Sequence, residues 1–118
     1  MTERRKIIVI GGSAAGPKAA AKARRIDNDA QVVILQKDGD LSMASCGYPY
    51  YVGGCFDDRN QLLCTPAGAV RNPMFYLNAK DIEARVNTEV THIDRTGKTL
   101  SYKNLATGET GKMPYDKL

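Results

Sequence analysis

The feature that most constrains this chain is a junction. A continuous β-branched run, Ile7-Ile8-Val9-Ile10, passes through Gly11-Gly12-Ser13-Ala14-Ala15-Gly16 into an alanine-rich segment that ends at Ile26. A short apolar run without alternation is the pattern of a strand covered on both faces in a parallel sheet. From Ala14 to Ile26 the pattern becomes helical, with Ala15, Ala19, Ala23 and Ile26 on one face and Lys18, Lys22 and Arg25 on the other. Pro17 suits such a helix only in or next to its first turn, which sets the helix start at about Ser13. After the break at Asp27-Asn28-Asp29, Val32-Val33-Ile34-Leu35 supplies a second buried strand and completes a βαβ unit. The fold class is α/β.

Strand, glycine turn and helix together form the context that the dinucleotide fingerprint G-x-G-x-x-G requires. Gly11 permits the tight turn, and Gly16 allows close helix-to-strand packing. Ser13 replaces the second glycine, so a pyrophosphate can approach only if that side chain points aside. Gly12, Ala14 and Ala15 complete the candidate phosphate site, where the helix N-terminus offers unpaired N–H groups. The fingerprint expects an acidic residue at the end of the second strand, and Gln36 stands there, followed by Lys37. The Gln36 amide oxygen either accepts a ribose hydroxyl or faces water at the strand end, and the residues leave both readings open.

Residues 38–78 are rich in Gly, Pro, Tyr and Cys and carry little periodicity; they read as loops with short helices, one starting near Cys46. The chain then becomes strand-like. Ile82, Ala84 and Val86 alternate, Glu89 to Ile93 follows, then a turn at Arg95-Thr96-Gly97-Lys98 and a strand from Thr99 to Tyr102. A hairpin turn at Ala106-Thr107-Gly108-Glu109 leads to Met113–Tyr115. These elements predict a small parallel sheet plus an antiparallel β-meander.

Several classes of function are disfavoured. At 118 residues there is room for one small domain. The net charge of +4 would suit nucleic acid, but there is no Trp and the basic residues are dispersed, so a polyanionic small molecule is an equally good partner and no nucleic acid is expected. Three cysteines, Cys46, Cys55 and Cys64, without a C-x-x-C pair suggest neither a disulfide framework nor a zinc site, and a reducing, cytoplasmic setting is expected. Arg4-Arg5-Lys6 and the apolar run after it imitate a signal peptide, yet the run falls short of the roughly 7 to 15 apolar residues of such a segment. No stretch approaches the roughly 20 apolar residues that cross a bilayer, so no membrane association is expected. His92 is the only histidine and cannot alone build a metal site or a triad. Tyr48, Tyr50 and Tyr51 are expected to pack their loop, and Cys55 and Cys64 to be buried and inert.

The run Leu41-Ser42-Met43-Ala44-Ser45-Cys46-Gly47-Tyr48-Pro49-Tyr50-Tyr51-Val52-Gly53-Gly54 is the most specific stretch of the chain. Together with the glycine turn, the Thr88-Glu89-Val90 strand and the closing Tyr115-Asp116-Lys117-Leu118, it resembles the single-cysteine branch of the FAD-dependent pyridine nucleotide-disulfide oxidoreductases, from Lys6 to Leu118. The resemblance implies a Rossmann-like FAD-binding unit in which the glycine turn, Gln36, Lys37 and Val90 meet the cofactor. It makes Cys46 the redox-active sulfur beside the flavin. Two-cysteine members use C-x-x-x-x-C, but Tyr51 occupies the second position here, so the partner sulfur belongs to the substrate. A helix N-terminus favours the thiolate, the form that attacks a disulfide or accepts a sulfenic or persulfide sulfur.

In coenzyme A disulfide reductases the outer face of the first helix and the segment before the cysteine contact coenzyme A. The matching positions are Lys18, Lys22, Arg25, Ser42 and Ser45, with Ser45 standing where those enzymes usually carry Asn. NAD(P)H is the implied reductant and a homodimer the implied assembly. Residues 1–118 are then expected to form the N-terminal part of an FAD/NAD(P)-binding domain, an incomplete domain with the NAD(P)H and dimerisation domains outside it. A non-catalytic adenine-nucleotide or FAD-binding module is the alternative.

Overall fold

The computed structural model describes residues 4–118; residues 1–3 of the expected domain lie outside the described residues. Strand β1 (Lys6–Ile10) leads into helix α1 (Ala15–Ile26) and strand β2 (Gln31–Leu35). Two single turns of 3-10 helix, Ser45–Gly47 and Arg59–Leu62, flank the short helix α2 (Tyr48–Val52). Helix α3 (Pro73–Lys80) precedes β3 (Glu83–Arg85), and β4 (Thr88–Asp94), β5 (Thr99–Asn104) and β6 (Thr110–Pro114) follow. β1, β2 and β3 form a parallel sheet in that order, while β4, β5 and β6 form a separate antiparallel sheet. Both expected sheets are present.

The continuous apolar strands are explained by what covers each face. Val32 and Ile34 of β2 join Ala20, Leu41, Tyr76 and Ile82 on the helical side, with Ile7 and Val9 of β1 packed against them. Val33 and Leu35, one residue out of phase, join Ile8, Leu100 and Met113 under the meander. Because strand side chains alternate between faces, a sheet buried on both sides needs apolar residues at every position. The result is three layers: helices, parallel sheet, meander. β3 has three residues, two of them charged, a composition that discourages further pairing at that edge. On the other edge Lys117 pairs in parallel with Ile7, and the Ile8 N–H donates to the Lys117 carbonyl at 3.0 Å.

Helix α1 corrects one sequence expectation. Its buried residues are Pro17 and Ala20, whereas Ala15 and Ala19 are exposed and Ile26 is 73% exposed. The inward face is thus rotated from the expected one, and Pro17 lies third in the helix, where its missing N–H removes no helical bond. Arg24, unnoticed in the sequence, takes the inward position at the end of the helix. Its guanidinium donates to the carbonyls of Asn28 (3.0 Å), Ala30 (2.6 Å) and Asp81 (2.8 Å), joining the end of α1, the entry to β2 and the end of α3. Asp81 ends α3 in the left-handed conformation at φ 52°.

Both turns of the meander form as expected. Asp94 Oδ1 accepts from the Thr96 and Gly97 N–H groups, and Asn104 Oδ1 from those of Ala106 and Thr107, while Gly108 supplies φ +78°.

A substitution pair checks this assignment of faces. Ile34→Ala, at a fully buried position, is expected to lower unfolding stability by about 2–5 kcal/mol, and Ile26→Ala by less than about 0.5 kcal/mol, in urea titrations.

Candidate functional site

The glycine turn lies at the carboxyl end of the parallel sheet, where open α/β folds bind ligands. Gly11 leaves β1 at φ +103°, a conformation reserved for glycine, and its N–H donates to the Leu35 carbonyl at 2.8 Å. A side chain on Gly16 would overlap the Gly11 carbonyl oxygen, so α1 can start this close to β1 only with glycine there. A side chain on Gly12 would meet Leu41 Cδ2 at 2.7 Å. Ser13, Ala14 and Ala15 are exposed at the helix start, no side chain caps the helix and no acidic residue occupies its first turn. Unpaired N–H groups, the positive end of the helix and the absence of competing carboxylates fit a pyrophosphate.

Gln36 does not face water. It is 8% exposed; its Oε1 accepts from the Gly12 N–H at 2.8 Å and its Nε2 donates to the Asp40 carbonyl at 3.0 Å. The side chain braces the glycine turn from the end of β2. Lys37, the next residue, is exposed and pairs with Glu89 of β4 at 3.4 Å. The Thr88 N–H donates to the Gln36 carbonyl at 2.9 Å, which brings β4 alongside the end of β2. Val90 follows, half-buried against the meander-side core, beside an irregularity in register between Val90 and His92. The structure therefore gathers the glycine turn, Gln36, Lys37 and the start of β4 at one end of the sheet.

The cysteine segment is bonded to this turn. The Ser42 N–H donates to the Gly12 carbonyl at 2.7 Å, and the Ala44 N–H donates to the Leu62 carbonyl at 2.9 Å. Ser42 adopts φ 54°, and its hydroxyl is hydrogen-bonded to the phenol of Tyr76, a residue only 2% exposed. Cys46 is exposed within the Ser45–Gly47 turn, and Gly47 leaves space for Leu62, whose Cδ2 would lie 2.6 Å from any added side chain. Cys55 is also exposed and Cys64 half-buried, so the expectation that both are buried does not hold. The three tyrosines are exposed rather than packed; Tyr51 alone meets another ring, that of Phe56 at 5.7 Å. No cluster of three or more His, Cys, Asp or Glu able to hold a metal exists among the described residues.

A groove of about 380 Å³ runs between α1, the Ser42–Ala44 segment and α3. Lys18 and Arg25 line it from α1, Ser42 from the turn, and Arg71, Tyr76 and Lys80 from the α3 side. Lys22 and Ser45 are exposed but do not line it. The sequence had not singled out Arg71, Tyr76 or Lys80. The only cue was Asn72-Pro73, a cap and first-turn pair, which announces α3 and thereby the residues on it.

A parallel βαβ unit with this turn and this helix start defines a dinucleotide-binding domain of the Rossmann type. The model of the pyridine nucleotide-disulphide oxidoreductase family matches residues 5–118, and the chain belongs to that family. Its members are FAD- and NAD(P)H-dependent oxidoreductases. The coenzyme A disulfide reductase of Staphylococcus haemolyticus is 36% identical over 114 residues, 97% of this chain and 24% of that protein. Among solved structures, the NAD-dependent persulfide reductase from A. fulgidus matches with a TM-score of 0.90 at 38% identity, over 94% of this chain and 20% of that one. Reduced Bacillus anthracis CoADR-RHD matches with a TM-score of 0.86 at 34% identity, over 98% of this chain and 20% of that one. The chain spans about a quarter of the length of the curated relatives it matches. No helix among the described residues is long and apolar enough to cross a membrane.

The role of Gln36 is directly measurable. Gln36→Met keeps the apolar stem but leaves the Gly12 N–H buried without a partner, and is expected to cost about 1–3 kcal/mol in urea unfolding.

Proposed function

We propose that the protein carrying this chain is an FAD- and NAD(P)H-dependent reductase of a small-molecule disulfide, persulfide or peroxide, with a coenzyme A disulfide favoured, and that Cys46 is its redox-active sulfur. The observation that carries the reading is the hydrogen bond from the Ser42 N–H to the Gly12 carbonyl, which ties the segment leading to Cys46 to the turn that fits a dinucleotide phosphate. Residues 1–118 then form the N-terminal part of the FAD/NAD(P)-binding domain. The nicotinamide site and the contacts of a homodimer belong to other parts of the whole protein.

The roles follow from position. Gly11, Gly12, Gly16 and the N–H groups at the start of α1 take the pyrophosphate of FAD, with Ser13, Ala14 and Ala15 at its edge; Lys37 and Val90 lie beside its adenosine half. Gln36 holds that turn in shape. The Cys46 thiolate attacks one sulfur of the substrate disulfide, forming a Cys46–substrate disulfide and releasing the other half as a thiolate. When bound, FAD would supply the electron pair, taken from NAD(P)H, that splits this mixed disulfide into the Cys46 thiolate and the second substrate thiolate, which leaves. Lys18, Arg25 and Ser42 hold the phosphorylated end of the substrate in the groove, with Lys22 beside it on α1 and Ser45 next to the sulfur. No second protein thiol stands five residues after Cys46, consistent with a substrate-derived partner sulfur.

The test uses the full-length protein. Cys46→Ser is expected to retain flavin absorbance while NAD(P)H-dependent reduction of coenzyme A disulfide falls at least about 100-fold. Undiminished turnover would remove Cys46 from the mechanism and favour a nucleotide-binding role without thiol chemistry for this chain.

A further inference from the structure

The phenol of Tyr76 is a polar group inside an apolar cluster. Its ring packs beside Leu41 and Ile82 and the residue is only 2% exposed, so its hydroxyl depends on a partner within the protein. Among the described residues that partner is the Ser42 hydroxyl. A phenylalanine would fill the same space without the requirement, so packing alone does not account for a tyrosine here.

The phenol is presented from a helix fixed at both ends. Asn72 caps α3 through Oδ1, which accepts from the Phe75 N–H at 2.9 Å, and the Arg24 guanidinium donates to the Asp81 carbonyl at the other end at 2.8 Å. The Tyr76 carbonyl accepts from the Ile82 N–H at 3.0 Å, and the Phe75 ring meets the Tyr76 ring edge-on at 5.4 Å. With its side-chain torsions held by this packing, the hydroxyl is a fixed point.

Ser42 is where a fixed point is needed. It is not glycine, yet it adopts φ 54°, a conformation that persists in such a residue when its surroundings determine it. Two bonds do so: its N–H donates to the Gly12 carbonyl at 2.7 Å, and its hydroxyl is joined to the Tyr76 phenol. From there to the cysteine the chain is stiffened at short intervals. The Ala44 N–H donates to the Leu62 carbonyl at 2.9 Å, the Ser45 N–H to the Met43 carbonyl at 2.9 Å and the Gly47 N–H to the Ala44 carbonyl at 2.8 Å. A rotation at Ser42 is therefore passed on to Cys46 rather than absorbed between them.

Resting on the reading of Cys46 as the redox sulfur, we propose that Tyr76 is a positioning residue for that thiol. Its phenol holds Ser42 in the left-handed turn and so sets where Cys46 stands relative to the glycine turn. Tyr76 acts through Ser42, and a displaced thiol loses rate rather than substrate affinity, because a misplacement of about 1 Å can cost about 100-fold in a step that depends on alignment.

The experiment compares wild type, Tyr76→Phe, Ser42→Ala and the double variant as full-length, flavin-loaded proteins, with flavin absorbance as the check on folding. Tyr76→Phe keeps the ring and removes one oxygen. Hydrogen exchange of the segment 41–47, in which the Ser42, Ala44 and Gly47 N–H groups are bonded, is expected to speed up about fivefold in Tyr76→Phe, with exchange in β1 and β2 unchanged. Ser42→Ala is expected to reproduce the change and the double variant to add nothing to it. For coenzyme A disulfide, kcat is expected to fall about tenfold in Tyr76→Phe with KM within about twofold of wild type, a split that lost stability would not produce. Exchange equal in wild type and Tyr76→Phe, or additive effects in the double variant, overturns the proposal whatever turnover shows. So does an unchanged kcat in Tyr76→Phe when Cys46→Ser is inactive. Wild type that does not reduce coenzyme A disulfide, or Cys46→Ser that reduces it at full rate, sinks the functional reading instead, and faster exchange in Tyr76→Phe still assigns the phenol its hold on Ser42.

Discussion

The backbone of Gly12 is the joint on which the site depends. Its N–H is taken by the Gln36 side chain at 2.8 Å and its carbonyl by the Ser42 N–H at 2.7 Å. One residue thereby fixes three pieces of chain that are distant in sequence: the turn after β1, the end of β2 and the segment that carries Cys46. The joint is largely shut off from water, so each bond counts by what its loss would expose, not by the modest net value of an average hydrogen bond. A side chain on Gly12 would collide with Leu41 and drive the same three pieces apart. The glycine here serves close approach of backbone to backbone, while Gly11, at φ +103°, serves the turn itself.

The parts legible in the sequence are those where chemistry leaves little choice. β1 and β2 were readable because a strand buried on both faces must be apolar at every position, and the meander because alternation and two Asx-type turns mark its corners. The face of α1 was not readable. Alanine recurs at positions 15, 19, 20, 21 and 23, so an alanine stripe can be drawn on more than one side, and Ile26 pulled the choice toward the wrong one. What decides the face is Arg24, whose aliphatic stem and carbonyl-bound guanidinium turn inward to close the ends of three elements. The bond Gln36 makes to the Gly12 N–H was unreadable for a related reason. The fingerprint predicts an acceptor at the end of the second strand, and an acceptor is there, but it faces the protein's own turn.

Residues 38–78 were illegible because their stability comes from non-local bonds. Ala44 to Leu62, Arg71 to Leu63 and Ser42 to Tyr76 are side-chain or backbone contacts between segments without periodicity. α3 has the apolar run Met74-Phe75-Tyr76-Leu77, in which Tyr76 is buried while Met74 and Leu77 are exposed, so its pattern does not point to the groove it builds. A reading confined to periodic segments therefore found the wall made by α1 and missed the one opposite.

Charge links the two halves of the candidate site. The chain has seventeen basic and thirteen acidic residues, and setting aside the four groove cations leaves thirteen of each sign. Those four cations line one groove, and no carboxylate lines it with them. Under the proposed function, helix α1 would face two anions by different means. Its first turn, with no cap and no acidic residue, offers main-chain N–H groups fixed in direction, suited to a resident pyrophosphate held at close range. Its flank offers Lys18 and Arg25 on flexible stems, suited to a ligand that must enter and leave. A cofactor that stays and a substrate that exchanges place opposite demands on binding rigidity, and under the proposed function a single twelve-residue helix would meet both by using its end for one and its side for the other.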